Sequence, residues 1–461
     1  MKDWTTSLLV FVVVLAVSES RYSNTTTPVN FTSSSTTSST EHPHTHLNTA
    51  QLIQARGYPA EVHRVITPDG YILEMHRIPH GRTAHHAHTT PYAQTTHHAH
   101  TSPHAHEEDK QAGGSTDGTS STTSSSTSRN STRDSKGRRV VFILHGFLSS
   151  SADFVMNDPD EALGFMMADA GYDVWLGNNR GNYYGRQHVT LSPEKPEFWD
   201  YSWNEMARYD VPTMLSYVRK SSGMEQVYYI GHSMGTSLFF AMMHYHPHIN
   251  SWVRAMAALA PAGYVYHKYS MAHVLAPFFD GVERELRRRG IMEIFQLTKD
   301  NSNKASKMCG PNAITSFMCI LMYFISGGPN SNYVDKEYLP VIFAHTPAGS
   351  GLQVFTHLRQ MHASRKFQAF DYGRAKNVVK YGSTKPPSFS FSNVIAPVGL
   401  FWSENDWIVD PRDVRKTAKE LPWVALDYRI QLRDFNHVDF LWAENACDLL
   451  YHPVMKFFDD F

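Results

Sequence analysis

The chain has 461 residues, 41% of them hydrophobic and 18% charged, enough for one large domain with an insertion or for two domains. A formal net charge of -1 excludes an electrostatic grip on nucleic acid and leaves apolar or neutral substrates open. At the N-terminus, Lys2 is followed by ten apolar residues, Leu8 to Val17, and by small residues around Ser18 and Ser20. This is the pattern of a secretory signal peptide over residues 1–20, because a bilayer span needs about 20 apolar residues. No later stretch meets that length, so the mature protein is expected to be soluble, in the secretory pathway or beyond it.

Residues 21–46 form a Ser/Thr-rich tail with glycosylation sequons at Asn24 and Asn30, too poor in apolar side chains to fold. From Leu52 to Ile78, the apolar positions Val62, Val65, Tyr71, Ile72 and Leu73 flank the turn signal Pro68-Asp69-Gly70 and predict a β-hairpin. Residues 83–136 interrupt the pattern. His85-His86-Ala87-His88-Thr89-Thr90-Pro91 returns as His97-His98-Ala99-His100-Thr101-Ser102-Pro103, and a Gly/Ser/Thr tract with the sequon Asn130-Ser131-Thr132 follows. Eight histidines between His85 and His106 can bind Zn or Cu ions, but nothing in the sequence sets a ligand geometry, so a solvated surface loop is the preferred reading and no metal is expected.

Val140 to Leu144 is a continuous apolar run suited to a buried parallel strand. A helical pattern around Ala162 to Met166, a strand at Tyr172 to Leu176, an amphipathic helix from about Trp203 to Lys220, and strands at Val227 to Ile230 and Ala255 to Leu259 follow. Alternating strands and helices imply an α/β fold with a mostly parallel central sheet, since parallel neighbours require crossover connections. The first part of this core spans residues 47–261, apart from the insert. Residues 262–395 lose the alternation and carry helical patterns rich in Phe, Met and Tyr, as an insertion capping the site; the sheet resumes in residues 396–461 at Val398 to Trp402 and Ala425 to Leu432. Of three cysteines, Cys309 and Cys319 lie close enough to close a small disulfide loop in an oxidising compartment, with Cys447 left over; three buried free thiols are the alternative.

Gly231-His232-Ser233-Met234-Gly235, between a predicted strand and a helix-like run, reads as a nucleophile elbow. Acyl transfer from such a serine needs a base, a carboxylate that orients the base, and N–H donors aimed at the developing oxyanion. In the chain order Ser, Asp or Glu, then His, the candidates are Ser233, Asp406 after the strand ending at Trp402, and His437 after the last strand. Both loops fall at the carboxyl ends of parallel strands, where such sheets place their sites. Rivals are Asp410, which precedes Pro411, Asp413, which suits a helix start, and His452 near the chain end. The oxyanion donors are expected to be the backbone N–H groups of Met234 and Phe147. His145 is expected to support its loop, and His232 to pack.

These residues carry a resemblance. Gly57-Tyr58-Pro59, Asp69-Gly70-Tyr71-Ile72-Leu73, His145-Gly146-Phe147-Leu148, Leu176-Gly177-Asn178-Asn179-Arg180-Gly181-Asn182, Tyr209-Asp210-Val211-Pro212, the elbow, His345-Thr346-Pro347-Ala348-Gly349, Asn405-Asp406, Asp410-Pro411 and Asn436-His437-Val438-Asp439-Phe440 occur in order. The set resembles the acid lipase family, which includes gastric lipase, lysosomal acid lipase and insect relatives. It covers residues 50–461 except the histidine-rich insert. The resemblance implies an α/β-hydrolase core with a helical cap and lid, and hydrolysis of triacylglycerols or sterol esters by a Ser233, Asp406 and His437 triad. It implies no cofactor. The expected partner is neutral lipid at a lipid–water interface, and the expected location is extracellular or lysosomal. In the cap, Ile314 to Ile325 reads either as a lid with an apolar face for lipid or as buried cap core. A soluble carboxylesterase, or a noncatalytic lipid- or metal-binding protein, would share many of these features; no triad residue has been lost, which disfavours the second.

Overall fold

A computed structural model of the chain describes residues 42–82, 139–267, 281–310, 313–329 and 332–461. The signal segment, the sequons at Asn24, Asn30 and Asn130, and the histidine-rich repeats lie outside the described residues.

The strands, in chain order, are β1 (Glu61–Ile66), β2 (Tyr71–Ile78), β3 (Arg139–Leu144), β4 (Tyr172–Gly177), β5 (Gln187–His188), β6 (Val227–His232), β7 (Val253–Leu259), β8 (Glu293–Ile294), β9 (Ser350–Gly351), β10 (Val398–Trp402) and β11 (Val424–Arg429). The main sheet runs β1-β2-β4-β3-β6-β7-β10-β11, with β5 paired to β2. From β4 to β11 every neighbouring pair is parallel, whereas β1 pairs antiparallel with β2 and β2 antiparallel with β4. The central strands β4 and β6 are buried along their whole length, because helices cover both faces of a parallel sheet. Edge strand β11 alternates between half-buried and exposed positions instead.

The expected hairpin forms, with Val65 opposite Leu73 and Gly70 at φ 94° in the turn. A helix, Thr49–Ala55, precedes it, closed at its start by reciprocal bonds between Asn48 and Gln51. Residues ahead of the expected boundary at residue 47 already belong to the fold: Thr45 is buried, and His42 packs against the Tyr338 ring at 5.1 Å. The helix expected from Trp203 is broken into Trp203–Glu205, a wider π-turn at Met206–Asp210, and Val211–Ser222. Asp210, at the end of that turn, is fully buried and meets Arg180 at 2.6 Å, while Asp69 of the hairpin turn holds the other side of the guanidinium, also at 2.6 Å. The Tyr71 ring covers this guanidinium at 3.9 Å. A charge so far from water is tolerable only with such partners. They tie the hairpin, the loop after β4 and the helix together behind the sheet's working end.

The region expected as a cap, residues 262–395, contains among its described residues helices such as Lys299–Met308, Ser316–Gly327, Leu339–His345, Leu352–Ser364 and Arg374–Tyr381. It also contains what its helical pattern does not announce, an antiparallel pair of two-residue strands, β8 and β9. Strands of that length leave no periodicity to read. A disulfide joins Cys309 to Cys319, and Cys447 is a free, half-buried thiol.

Candidate active site

β6 ends at His232, the helix Met234–Tyr245 starts at Met234, and Ser233 occupies the single residue between them. Its backbone lies at φ 52° and ψ -119°, a region that L-residues avoid at a cost of about 1–3 kcal/mol. Surrounding contacts hold it there. Ser233 N–H donates to the Leu259 carbonyl at 2.9 Å, and the Ser233 carbonyl accepts from Thr236 N–H at 2.9 Å and Thr236 Oγ1 at 2.6 Å. Glycine is required where the chain folds back on itself: a Cβ on Gly235 would lie 2.5 Å from the Leu144 carbonyl oxygen, and one on Gly231 would lie 2.8 Å from the Gly235 carbonyl.

Asp406 and His437 reach this serine from the loops after β10 and β11. His437 Nε2 stands 2.9 Å from Ser233 Oγ, and His437 Nδ1 stands 2.7 Å from Asp406 Oδ2. The other carboxylate oxygen, Oδ1, accepts the N–H groups of Ile408 at 2.8 Å and Val409 at 2.7 Å. All three side chains are buried. With Nδ1–H donated to a carboxylate, the imidazole presents a lone pair at Nε2, which is the form able to take a hydroxyl proton.

The rival residues are occupied elsewhere. Asp410 caps the helix Pro411–Glu420 and pairs with Arg412 at 2.9 Å. Asp413 accepts the Tyr266 and His267 N–H groups at 2.8 and 2.9 Å. His452 meets Asp448 at 3.2 Å, and Glu404, the carboxylate just before Asp406 in the same loop, meets Arg429 at the surface.

Opposite the elbow, the loop after β3 brings Gly146 so close that a Cβ there would stand 3.1 Å from Ser233 Cβ and 3.2 Å from His232 Nδ1. The loop backbone, including Phe147, therefore runs directly beside the nucleophile candidate. His145 sets its course: Nδ1–H donates to the Gly146 carbonyl at 2.7 Å, and Nε2 accepts from Asn179 N–H at 3.1 Å. Burial pushes the His145 imidazolium down to about 4, so the ring is neutral, as one donor and one acceptor require. From the cap, Ala348 N–H fastens the Leu148 carbonyl at 2.7 Å, and the Phe355 ring stacks on Phe147 at 6.2 Å.

Two supports escape sequence reasoning. His232, expected only to pack, places Nε2 3.2 Å from the His437 carbonyl; burial holds its protonation well below the usual range, so a neutral Nε2–H is the donor. Asn436 and Asp439 bracket His437 with reciprocal bonds: Asn436 N–H to Asp439 Oδ2 at 2.7 Å, and Asp439 N–H to Asn436 Oδ1 at 3.1 Å. The Asn-x-x-Asp spacing just before a short helix is the one local sign of such a reciprocal pair.

Behind the Gly146 loop, buried Asp153 accepts from Thr346 Oγ1 at 2.7 Å, and desolvation pushes its carboxyl up to about 6 from the ordinary 3.8. A folded value above the unfolded one gives stability that is complete below pH about 4 and is lost as pH rises through about 6, a change of about 3 kcal/mol. Asp153→Asn keeps the acceptor oxygen without the titration. Measured by chemical denaturation, the variant should gain on the wild type by up to about 3 kcal/mol between pH about 4 and about 7. A difference independent of pH would refute that account of Asp153.

The sheet order and the site define an α/β-hydrolase that cleaves ester bonds. Residues 139–444 match the family described as alpha/beta hydrolase fold, and residues 49–158 match the partial alpha/beta-hydrolase lipase region. The chain belongs to the acid lipase family of α/β-hydrolases. It is 35% identical to Lipase 3 of Drosophila melanogaster, over 88% of this chain and 91% of that protein. It is 34% identical to Lipase lipl-5 of Caenorhabditis elegans, over 91% and 93%. Identity to gastric triacylglycerol lipase of Bos taurus is 32%, over 90% and 92%.

Proposed function

We propose that this chain is a secreted serine lipase that hydrolyses ester bonds of neutral lipids, triacylglycerols or sterol esters, through Ser233, His437 and Asp406. The observation that carries the reading is the unbroken buried row from Ser233 Oγ to His437 Nε2, 2.9 Å, and from His437 Nδ1 to Asp406, 2.7 Å. His437 takes the hydroxyl proton as Ser233 attacks the ester carbonyl, and Asp406 stabilises the imidazolium that results. The N–H groups of Met234 and Phe147 receive the oxyanion, with the N-terminus of the helix Met234–Tyr245 adding its positive dipole end. The imidazolium then protonates the departing alcohol. Water, deprotonated by the same ring, frees the fatty acid from the acyl-enzyme.

Two things support a lipid rather than a soluble substrate. The relatives described above are proteins named lipases, one of them a triacylglycerol lipase. An apolar stripe in the cap faces outward: Ile314 is 94% exposed, Phe317 61% and Leu321 37%, while Cys319 and Tyr323 on the other face are buried. Such a stripe suits contact with a lipid surface. The apolar leader and the disulfide both suit secretion, and among the described residues no helix is long and apolar enough to cross a membrane.

The test is a substrate series. Emulsified trioleoylglycerol and cholesteryl oleate are expected to be turned over, with activity rising once substrate exceeds its solubility. A fluorophosphonate is expected to label Ser233, located by peptide mapping. Turnover confined to short soluble esters would assign a carboxylesterase instead, and absence of both labelling and hydrolysis would leave a noncatalytic lipid binder.

A further inference from the structure

The cap helix Ser316–Gly327 ends against the two loops that carry Asp406 and His437. The Gly327 carbonyl accepts the N–H of Trp407 at 3.2 Å and the N–H of His437 at 3.2 Å. Carbonyls in the last turn of a helix lack intrahelical donors, and each oxygen has two lone pairs. Here both lone pairs of one oxygen serve the site, one for each loop. Neighbouring contacts run the same way: Tyr323 Oη donates to Asp439 Oδ1 at 2.7 Å, and Asn436 Nδ2 to the Gly328 carbonyl at 3.4 Å.

The approach is closed to any side chain. A Cβ on Gly327 would lie 2.7 Å from Asn436 Oδ1 and from Val438 Cγ2, and one on Gly328 would lie 2.7 Å from the Asn405 carbonyl oxygen. The helix also points its negative dipole end toward the imidazole loop, which favours the charge that His437 acquires in the transition state. At its other end, the Cys309–Cys319 disulfide ties the helix to the segment that follows Lys299–Met308. Glycine at 327 is thus set by the need for a bare carbonyl at the junction of two loops.

We propose that Gly327 is a positioning residue: its carbonyl oxygen is the shared acceptor that sets the spacing between the Asp406 loop and the His437 loop. The proposal rests on the triad roles given above. It makes the cap helix part of the machinery for turnover and not only a cover, because a shift of its last turn displaces orienter and base together. A displacement of about 1 Å in such a constellation is worth about 100-fold in rate.

Gly327→Ala tests this on a soluble ester such as p-nitrophenyl butyrate, with reactive sites counted by fluorophosphonate titration so that misfolded protein does not enter the rate. The expected result is a kcat lower by about 10- to 100-fold with KM within about twofold. Adding Val438→Ala, which clears one of the two contacts, should recover part of that loss. A Gly327→Ala kcat within about twofold of wild type, with Ser233→Ala inactive, would overturn the proposal and leave the triad reading intact. Hydrolysis surviving in Ser233→Ala would remove both. Amide hydrogen exchange on the wild-type chain decides the matter even where Gly327→Ala fails to fold. The Trp407 and His437 amides are expected to exchange at rates within about threefold of the helix's last turn, as one opening unit. Exchange of the two loop amides independently of the helix would count against the shared acceptor.

Discussion

Ser233→Ala is expected to lower kcat by about 10⁴- to 10⁶-fold on both soluble and emulsified esters, because it removes the hydroxyl that faces His437 Nε2 at 2.9 Å. What survives is catalysis by the remaining parts, since oxyanion donors and substrate binding alone retain about 10³-fold over water. The fold should be indifferent. The side chain is small, and its strained backbone, φ 52°, is held by bonds to Leu259 and Thr236 that alanine keeps. Ser233→Gly should be equally inactive yet more stable than Ser233→Ala by about 1 kcal/mol, since glycine adopts that conformation without the steric penalty. Initial rates with matched denaturation curves check both halves. A Ser233→Ala protein with wild-type turnover would end the assignment.

The elbow was legible because everything that makes it is local. Gly231 and Gly235 leave room for a turn at Ser233, and an apolar strand and a helix flank them within the same twenty residues. Asp406 and His437 were legible for a different reason: a parallel sheet collects its loops at one end, so chain order and position after a strand narrow the choice to a few residues, and the family resemblance favours Asp406 over Asp410. Supports that act across the fold were not. His232 holds the His437 carbonyl from 205 residues away, and nothing in a single sequence ranks that contact above ordinary packing. Gly327 sits at the end of an apolar helix, where a glycine reads as a simple stop, although its carbonyl ties two distant loops. The π-turn at Met206–Asp210 was hidden because apolar spacing there fits an ordinary helix, and only the burial of Arg180 shows why Asp210 must turn inward. The helix expected as lid or core has one face of each exposure, with Phe317 and Leu321 outward and Cys319 and Tyr323 inward, which its apolar composition alone could not tell apart.

Asp406→Asn is expected to cost about 10⁴-fold in kcat while leaving the fold nearly untouched, and the hydrogen bonds around the carboxylate say why. Oδ1 accepts two backbone N–H groups, from Ile408 and Val409. In the variant only the amide oxygen can serve them, so the NH₂ group must face His437 Nδ1 across the 2.7 Å contact. A donor there demands that Nδ1 be the acceptor, which moves the ring proton to Nε2. That proton then points at Ser233 Oγ, 2.9 Å away, and the ring can no longer take the hydroxyl's proton. Asp406→Ala makes the contrast. It frees the imidazole to choose its tautomer but leaves the buried Val409 N–H without an acceptor, at about 1–3 kcal/mol, and the half-buried Ile408 N–H at less. The asparagine variant should therefore keep wild-type stability with the wrong tautomer, and the alanine variant should lose several kcal/mol with a milder loss of rate per folded molecule. Active-site titration alongside thermal denaturation separates the two losses. Equal rate losses in both variants would mean that Asp406 acts through its charge alone, with no role in choosing the tautomer.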